Sequence, residues 1–551
     1  MKLLKKYIHL ILLLFILILA FRIRYIDSIY LADLKPWPDS FEYSLGAYNL
    51  KHHHIYGIKY AGQYYPAMYP YGYPLLIIPF YIIFGSQPYN AVYCSLFFSL
   101  LTIVFAYMVG RKLGNRWTGL AAALFVTFLP SHIYFSKLIM SESLSVFLVL
   151  LICWLLLKVK ELDSRKQRLL LLVLGLVTGF SVSVHITNCL LIPPVLIALL
   201  LRRKSNPSSL YKEEGIVLFG IILALIPLFL YQSHTYGSPL RTGYEVWFPE
   251  YFEEKSEVFS FDFFAKPHGP YKRGNFMAFV FALIGLEKPV YPASMVPLFL
   301  VAFLFILSKR RAHNKQLIFL TFSSIFVFLL FTFFSFYAWQ GGDHHRYLLR
   351  AFPLLMVLAA YGATFLIDKG IFKSLAKESI FSLTMLCLLL VTIIQMGMWS
   401  YSEPKLPHRI DNRQYKIIRD ISVHIRNNAV IISQLDPEIS EYYFAEHTAD
   451  KIVYIVLSST KFRRKMAMGY IKPIRYDRSK KYSFLFRLNG ALNPRTYNFI
   501  RRSLKKDAPV YFVDLPDNPL SKMTRPFIER YFSLIEQEGD SRLFRLYPKD
   551  W

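Results

Sequence analysis

Cysteine is scarce in this chain. Its 551 residues hold four, at positions 94, 153, 189 and 387, all inside apolar runs and none at metal-ligand spacing. They imply neither a disulfide framework nor a zinc site. Acidic residues are also few, 36 Asp and Glu against 64 Lys and Arg, for a formal charge of +28. In a soluble protein that excess would point to nucleic acid. Here much of it lies in short loops between apolar runs, so membrane topology accounts for it and no nucleic-acid partner is expected. No internal repeat is visible, and residues 401–551 carry no phosphate loop and no nucleophile elbow.

Apolar residues, in contrast, make up 54% of the chain. A helix needs roughly 20 of them in a row to cross the hydrocarbon, and by that measure there are about eleven spans. They lie near 7–25, 89–110, 117–135, 142–158, 168–185, 187–201, 215–232, 291–308, 316–337, 347–367 and 378–399. The runs 74–84 and 276–286 are too short to cross and fit the interface. The first run follows Met-Lys-Leu-Leu-Lys-Lys and ends in Arg22-Ile-Arg24 without a small-residue cleavage site, so an uncleaved anchor is expected.

Alternate loops differ in charge. Lys2, Lys5 and Lys6, Arg111 and Lys112, 158–168, 202–204, 309–315 and 369–377 are basic. Residues 131–141, the turn at His185, the long loop after Gln232 and 338–345 are nearly free of Lys and Arg. The positive-inside rule makes the first set cytoplasmic, with the N-terminus. Asp39, Glu142, His185, His268 and the cluster His344-His345-Arg346 then share the outer face, together with everything after residue 400.

The stretch 36–47, Pro-Trp-Pro-Asp-Ser-Phe-Glu-Tyr-Ser-Leu-Gly-Ala, is the one around which the rest is read. Two prolines break any helix leaving the membrane, and a new one can start with Asp39 or Ser40 near its N-cap. Asp39 and Glu42 then stand at the water interface. Next come Tyr56, Tyr60, Tyr64, Tyr65, Tyr69, Tyr71 and Tyr73, interleaved with proline. Aromatic rings with polar tips suit both the membrane boundary and the faces of sugar rings. The triplet His52-His53-His54 points in three directions, and no metal is predicted.

Four stretches together resemble the GT-C superfamily of membrane glycosyltransferases, in particular the group of family 39 protein O-mannosyltransferases and lipid A aminoarabinose transferases. Trp37-Pro-Asp39-Ser-Phe-Glu-Tyr43 with Ala47 resembles the family's first outer loop, and Tyr69-Pro-Tyr-Gly-Tyr-Pro74 its Tyr-Pro-Pro-Gly-Tyr-Pro element. Met140-Ser-Glu142-Ser-Leu resembles the second outer loop, and His345-Arg346-Tyr-Leu-Leu-Arg-Ala-Phe-Pro353 the late Arg-Tyr-Leu-Leu-Pro-x-x-Pro pattern. The likeness covers roughly residues 1–400. Ser40 replaces the glutamate that follows the aspartate in protein O-mannosyltransferases, and the Glu-Lys-Pro element of the aminoarabinose enzymes is missing.

The resemblance implies a mostly α, polytopic GT-C fold over 1–400, with outer loops 27–88 and 233–290, that moves a sugar from a polyprenyl-phosphate donor. The acceptor, on a protein, lipid or glycan, would attack through a hydroxyl outside the membrane, opposite the leaving phosphate and with inversion. Asp39 matches the family's catalytic carboxylate and is the first choice as general base, with Glu42 and Glu142 after it. Arg346, helped by His344, His345 and Arg350, would balance the leaving phosphate. Tyr43, Tyr69, Tyr71, Tyr73, His185 and His268 are the expected substrate contacts, and no cofactor is expected. The outer loop with Gly243-Tyr244-Glu245 and Trp247 is expected to order over the site.

From Tyr401 the pattern changes to short apolar runs alternating with helical stretches, which predicts a small extracytoplasmic α/β domain over 401–551. Strands are expected at 429–433, 451–456, 482–488 and 509–513, helices at 413–426, 438–445 and 494–504, and a strand pair near 531–537 and 541–547. The dense basic run 461–481 fits a face near anionic lipid or polymer. Two other readings stay open. A transporter or flippase of an anionic lipid would place ionisable groups deep inside spans, whereas here they gather at span ends. A polymerase or ligase with a diphosphate-linked donor would need more cations near the phosphate, and Arg350 keeps it in play.

Overall fold

The structure is a computed structural model and describes residues 2–25, 38–60, 63–159, 164–201, 210–247, 349–368, 394, 429–433, 453–456, 475–476, 494–506, 508–514, 530–538 and 541–546. They form two compact units. The first comprises Met1–Tyr25, Cys94–Tyr231 and Phe248–Leu406, the second Ile26–Tyr93, Gln232–Trp247 and Pro407–Trp551. The expected outer loop 27–88 therefore groups with the C-terminal segment and not with the helices on either side of it.

The first unit is helical: α1 (Lys2–Arg24), most of α4 (Val92–Leu113), α5 (Arg116–Thr127), α6 (Pro130–Ser136), α7 (Glu142–Val159), α8 (Ser164–Val184), α9 (Ile192–Leu201), most of α10 (Leu210–Tyr236) and α12 (Phe352–Asp368). Among the described residues five stretches are long and apolar enough to cross a membrane, namely Tyr7–Arg24, Pro88–Leu113, Glu142–Val159, Arg165–Val184 and Glu213–Tyr236. The pair α5 and α6, bent by 63°, makes a sixth if counted as one span. Pro130 causes that break, since as the first residue of α6 it has no N–H to continue the α5 ladder. The expected spans 187–201 and 347–367 correspond to the shorter apolar helices Ile186–Leu200 and Phe352–Thr364. Those at 291–308, 316–337 and 378–399 lie outside the described residues, except residue 394.

Helices α1 and α10 leave rows of large apolar side chains uncovered, Leu14, Phe15 and Ile18 on one and Phe219, Ile222 and Leu230 on the other. Such faces suit lipid. Between helices in lipid there is little hydrophobic gain, so small residues and polar pairs set the packing. Gly175 and Gly179 of α8 lie against Gly220 and Ile221 of α10, and a Cβ on Gly220 would stand 2.7 Å from the Leu172 carbonyl oxygen. Between α5 and α12 the hydroxyls of Thr118 and Thr364 meet at 2.7 Å. Asn115 caps α5 by accepting from the amides of Trp117 and Thr118.

In the second unit α2 (Pro38–His53) packs with α3 (Gly72–Phe84), and the short hairpin β1 (Ile58–Tyr60) and β2 (Gln63–Tyr65) follows α2. His54, at φ 55°, takes the left-handed conformation that ends α2. The helix ends are tied by Tyr81, whose hydroxyl donates to the carbonyls of Ser44 and Pro88, and by Lys51, which donates to Ser86 Oγ at 2.6 Å. The short helix α11 (Gly243–Trp247) also belongs here. Strand β2 pairs antiparallel with β5 (Arg475–Tyr476), so a sheet joins the segment after α2 to the C-terminal region.

The C-terminal residues build a five-stranded mixed sheet in the order β4-β3-β6-β8-β7. Strands β3 (Val430–Ser433), β4 (Val453–Val456) and β6 (Val510–Asp514) are parallel, and β7 (Phe532–Glu538) and β8 (Ser541–Leu546) form the antiparallel edge. Val430, Ile431, Ile432 and Val510–Val513 are buried, the continuous apolar run of a strand covered on both faces. Helix α13 (Pro494–Leu504) buries Ile500 and Leu504 and exposes Arg501 and Arg502. These strands and α13 occupy their expected positions. The expected elements at 413–426, 438–445 and 482–488, and the basic run 461–481 apart from Arg475 and Tyr476, lie outside the described residues.

Candidate active site

Asp39 sits in the first turn of α2, half-buried, just after Pro38, which opens the helix. Glu42 is three residues on and therefore on the same face. It is 8% exposed, and its Oε1 accepts the backbone N–H groups of Met68 and, at 2.8 Å, Tyr69. The carboxylate thus holds the start of the Tyr69–Pro74 element by two charge-assisted hydrogen bonds. Around it the Tyr43 ring lies 4.7 Å from Tyr69 and 5.1 Å from Tyr73, and Tyr244 of α11 meets Tyr69 edge-on at 5.6 Å.

Burial pushes the Tyr69 phenol well above its ordinary pKa, and the negative charge of Asp39 adds to this, ahead of smaller contributions from Tyr244, Tyr43 and Glu42. Tyr69 therefore stays a neutral phenol beside Asp39. Tyr43, Tyr69 and Tyr73 are buried, while Tyr71 is half-buried with its ring 6.3 Å from Tyr56.

The carbonyls of the same loop are held from the other side. Trp247 Nε1 donates to Pro66 O at 2.9 Å, Tyr236 Oη to Ala67 O at 2.6 Å, and Tyr56 Oη to Tyr69 O at 2.8 Å. Gly243 lies so close that a Cβ would stand 2.5 Å from Ala67 O. Thr242 and Glu245 form a reciprocal cap that fixes α11 in this position. Sequence reasoning missed Tyr56, Tyr236 and Trp247 as anchors of this loop. Their signal was an aromatic body with a polar tip, which is shared by many other residues of this chain.

In the first unit Glu142 opens α7 and is 1% exposed. Ser145, on the same face, accepts from Asn188 Nδ2 at 3.2 Å, and Asn188 also donates to Ser181 O at 2.8 Å. This links α7 to the turn after α8. His185 begins that turn, a 3-10 helix over Ile186–Leu191, with its Nδ1 accepting the Thr187 amide N–H at 3.3 Å. Arg350 Nη1 donates to Thr187 Oγ1 at 2.6 Å. The structure thus joins His185 and Arg350 through one threonine. His268, His344, His345 and Arg346 lie outside the described residues.

A second buried cation had no place among the expected site residues. Arg24, at the end of α1, donates Nε to Ser99 Oγ at 2.9 Å and Nη2 to Val126 O at 3.0 Å, with His132 Nδ1 3.2 Å from Nη2. In the sequence it reads only as the basic end of an apolar run. No group of three His, Cys, Asp or Glu able to hold a metal occurs among the described residues. His52 sits 3.0 Å from Ser86 Oγ, and burial, with the neighbouring Lys51 charge, lowers its pKa.

Residues 69–231 match the family model described as dolichyl-phosphate-mannose-protein mannosyltransferase. No curated protein sequence matches the chain. Among solved structures, ArnT from Cupriavidus metallidurans in the apo state is similar at 12% identity and TM-score 0.62, covering 97% of this chain and 97% of that one. Its form bound to undecaprenyl phosphate is similar at 13% identity and TM-score 0.60, covering 98% and 97%. The Archaeoglobus fulgidus oligosaccharyltransferase in its apo form follows at 12% identity and TM-score 0.55, covering 97% of this chain and 74% of that one.

The chain has the fold of a GT-C membrane glycosyltransferase. Within that GT-C fold, the matched segment 69–231 starts at the loop held by Glu42 and contains both Glu142 and the turn at His185.

Proposed function

We propose that the chain transfers a sugar from a polyprenyl-phosphate-linked donor to an acceptor hydroxyl on the outer face of the membrane, with inversion. The observation that carries this reading is the likeness along 97% of both chains to ArnT, one form of which is bound to undecaprenyl phosphate. In the reaction the bond from the anomeric carbon to the phosphate oxygen breaks as the acceptor oxygen bonds that carbon from the opposite side. The acceptor's proton passes to Asp39, and polyprenyl phosphate leaves as an anion. Asp39 suits this role because a rigid helix start holds it beside a neutral tyrosine. Glu42 serves by shaping the Tyr69–Pro74 element and Glu142 by orienting the acceptor. Arg346, His344 and His345 balance the leaving phosphate. Tyr71 and His268 contact the sugar or the acceptor.

The distribution of basic loops supports an inside N-terminus, with the site and the C-terminal sheet outside. A deletion strain tests the reading. Mass spectrometry is expected to find one polyprenyl-phosphate sugar accumulating while its residue disappears from a protein, lipid or glycan. Unchanged lipid-linked sugars would remove the proposal. The released carrier tests the donor class: polyprenyl monophosphate is expected, and release of a polyprenyl diphosphate would show a diphosphate-linked donor instead.

A further inference from the structure

Along Arg350, Thr187 and His185 the hydrogen bonds favour one placement of protons. Arg350 is 2% exposed and points Nη1 at Thr187 Oγ1 from 2.6 Å. A guanidinium only donates, so the hydroxyl oxygen accepts. The same oxygen stands 2.7 Å from His185 Nδ1, at which the Thr187 amide N–H is also directed from 3.3 Å. A proton on Nδ1 would face that amide proton, so Nδ1 is the acceptor. The hydroxyl, already accepting from the cation, sends its single proton to Nδ1, and the imidazole proton sits on Nε2.

We propose that Arg350 is a positioning residue that acts through the Thr187 hydroxyl to keep His185 in its Nε2–H form. His185 then serves the transfer as a hydrogen-bond donor to a phosphate or sugar oxygen of the lipid-linked donor, and not as the base. This rests on the function proposed above, and it assigns Arg350 a place behind His185 instead of against the phosphate. The guanidinium matters because it donates into the hydroxyl oxygen and so turns the single hydroxyl proton towards Nδ1.

The test uses the full-length protein labelled with 15N-histidine, with His185→Gln identifying the His185 signals. Wild type is expected to show an unprotonated Nδ1 and a protonated Nε2. Thr187→Val is expected to shift these signals towards a mixture of tautomers and to lower kcat about tenfold with little change in the donor KM. Thr187→Ser restores both, which separates the hydroxyl from mere packing. His185→Gln, whose amide N–H lies near the Nε2 position, retains measurable turnover where His185→Ala loses it.

A protonated Nδ1 in wild type overturns the proposal, as does wild-type turnover in Thr187→Val. If wild type moves no sugar yet shows the expected nitrogen signals, the functional reading fails while the assigned His185 tautomer stands.

Discussion

Glu42 in the second unit and Arg350 in the first are both buried charges, but they act on different kinds of neighbour. Glu42 engages two backbone amides and so determines where a loop runs. Arg350 engages a hydroxyl that can rotate and so determines where a proton sits. The surroundings differ accordingly. The loop at 66–70 is gripped from both sides by side chains of remote origin, Glu42, Tyr56, Tyr236 and Trp247. The helices of the first unit meet through glycines and paired hydroxyls. Around that loop, many directed hydrogen bonds fix an irregular segment. In the helical unit, close backbone approach sets the packing together with buried polar links such as those of Arg24 and Asn188.

The contrast can be tested at four positions. Asp39→Asn is expected to lower kcat by about a hundredfold to ten-thousandfold with the yield of folded protein kept, since the amide preserves the side chain's shape and removes the proton acceptor. Near-normal turnover would exclude Asp39 as the base. Glu42→Ala is expected to destabilise the folded state by about 3 kcal/mol, because two buried amides lose a charged partner. Thermal unfolding in detergent reads this, and a loss of activity with unchanged melting would mean that Glu42 acts on substrate directly.

Gly220→Val pushes a side chain into the Leu172 backbone and is expected to cost about 2 kcal/mol, visible as a lower melting temperature with kcat preserved in the folded fraction. The smallest effect concerns pH. The Tyr69 pKa is raised in the folded state above the ordinary 10.0, so the protonated phenol is favoured by folding. Its contribution is complete below pH 10.0 and is lost as pH rises through the higher folded value. The stability difference between wild type and Tyr69→Phe should therefore be flat at neutral pH and shift only in alkali.

Part of this was legible in the chain. Apolar runs long enough to span gave α1, α4, α7, α8 and α10, because a helix is the solution that satisfies its own backbone in lipid. The alternating short runs after residue 401 gave β3, β6, β8 and α13. The proline at 130 marked a break only once the 63° bend was seen. The place of Asp39 at a helix start was legible, because two prolines after an apolar run end one helix and let another begin, as α2 does at Pro38.

Arg24 and Thr187 were not legible. A single arginine at the end of a hydrophobic run and a lone threonine in a turn carry no periodicity, and their roles arise from partners 75 and 163 positions away. Residue types and their order were thus enough to determine the apolar helices, the change of pattern at the C-terminal region and the carboxylate candidates. The grip of Glu42 on Met68 and Tyr69, the pairing of β2 with β5, and the line from Arg350 to His185 were decided by tertiary structure alone. Hydrogen bonds of that kind depend on ångström distances between remote segments, and no local pattern of residues encodes those distances.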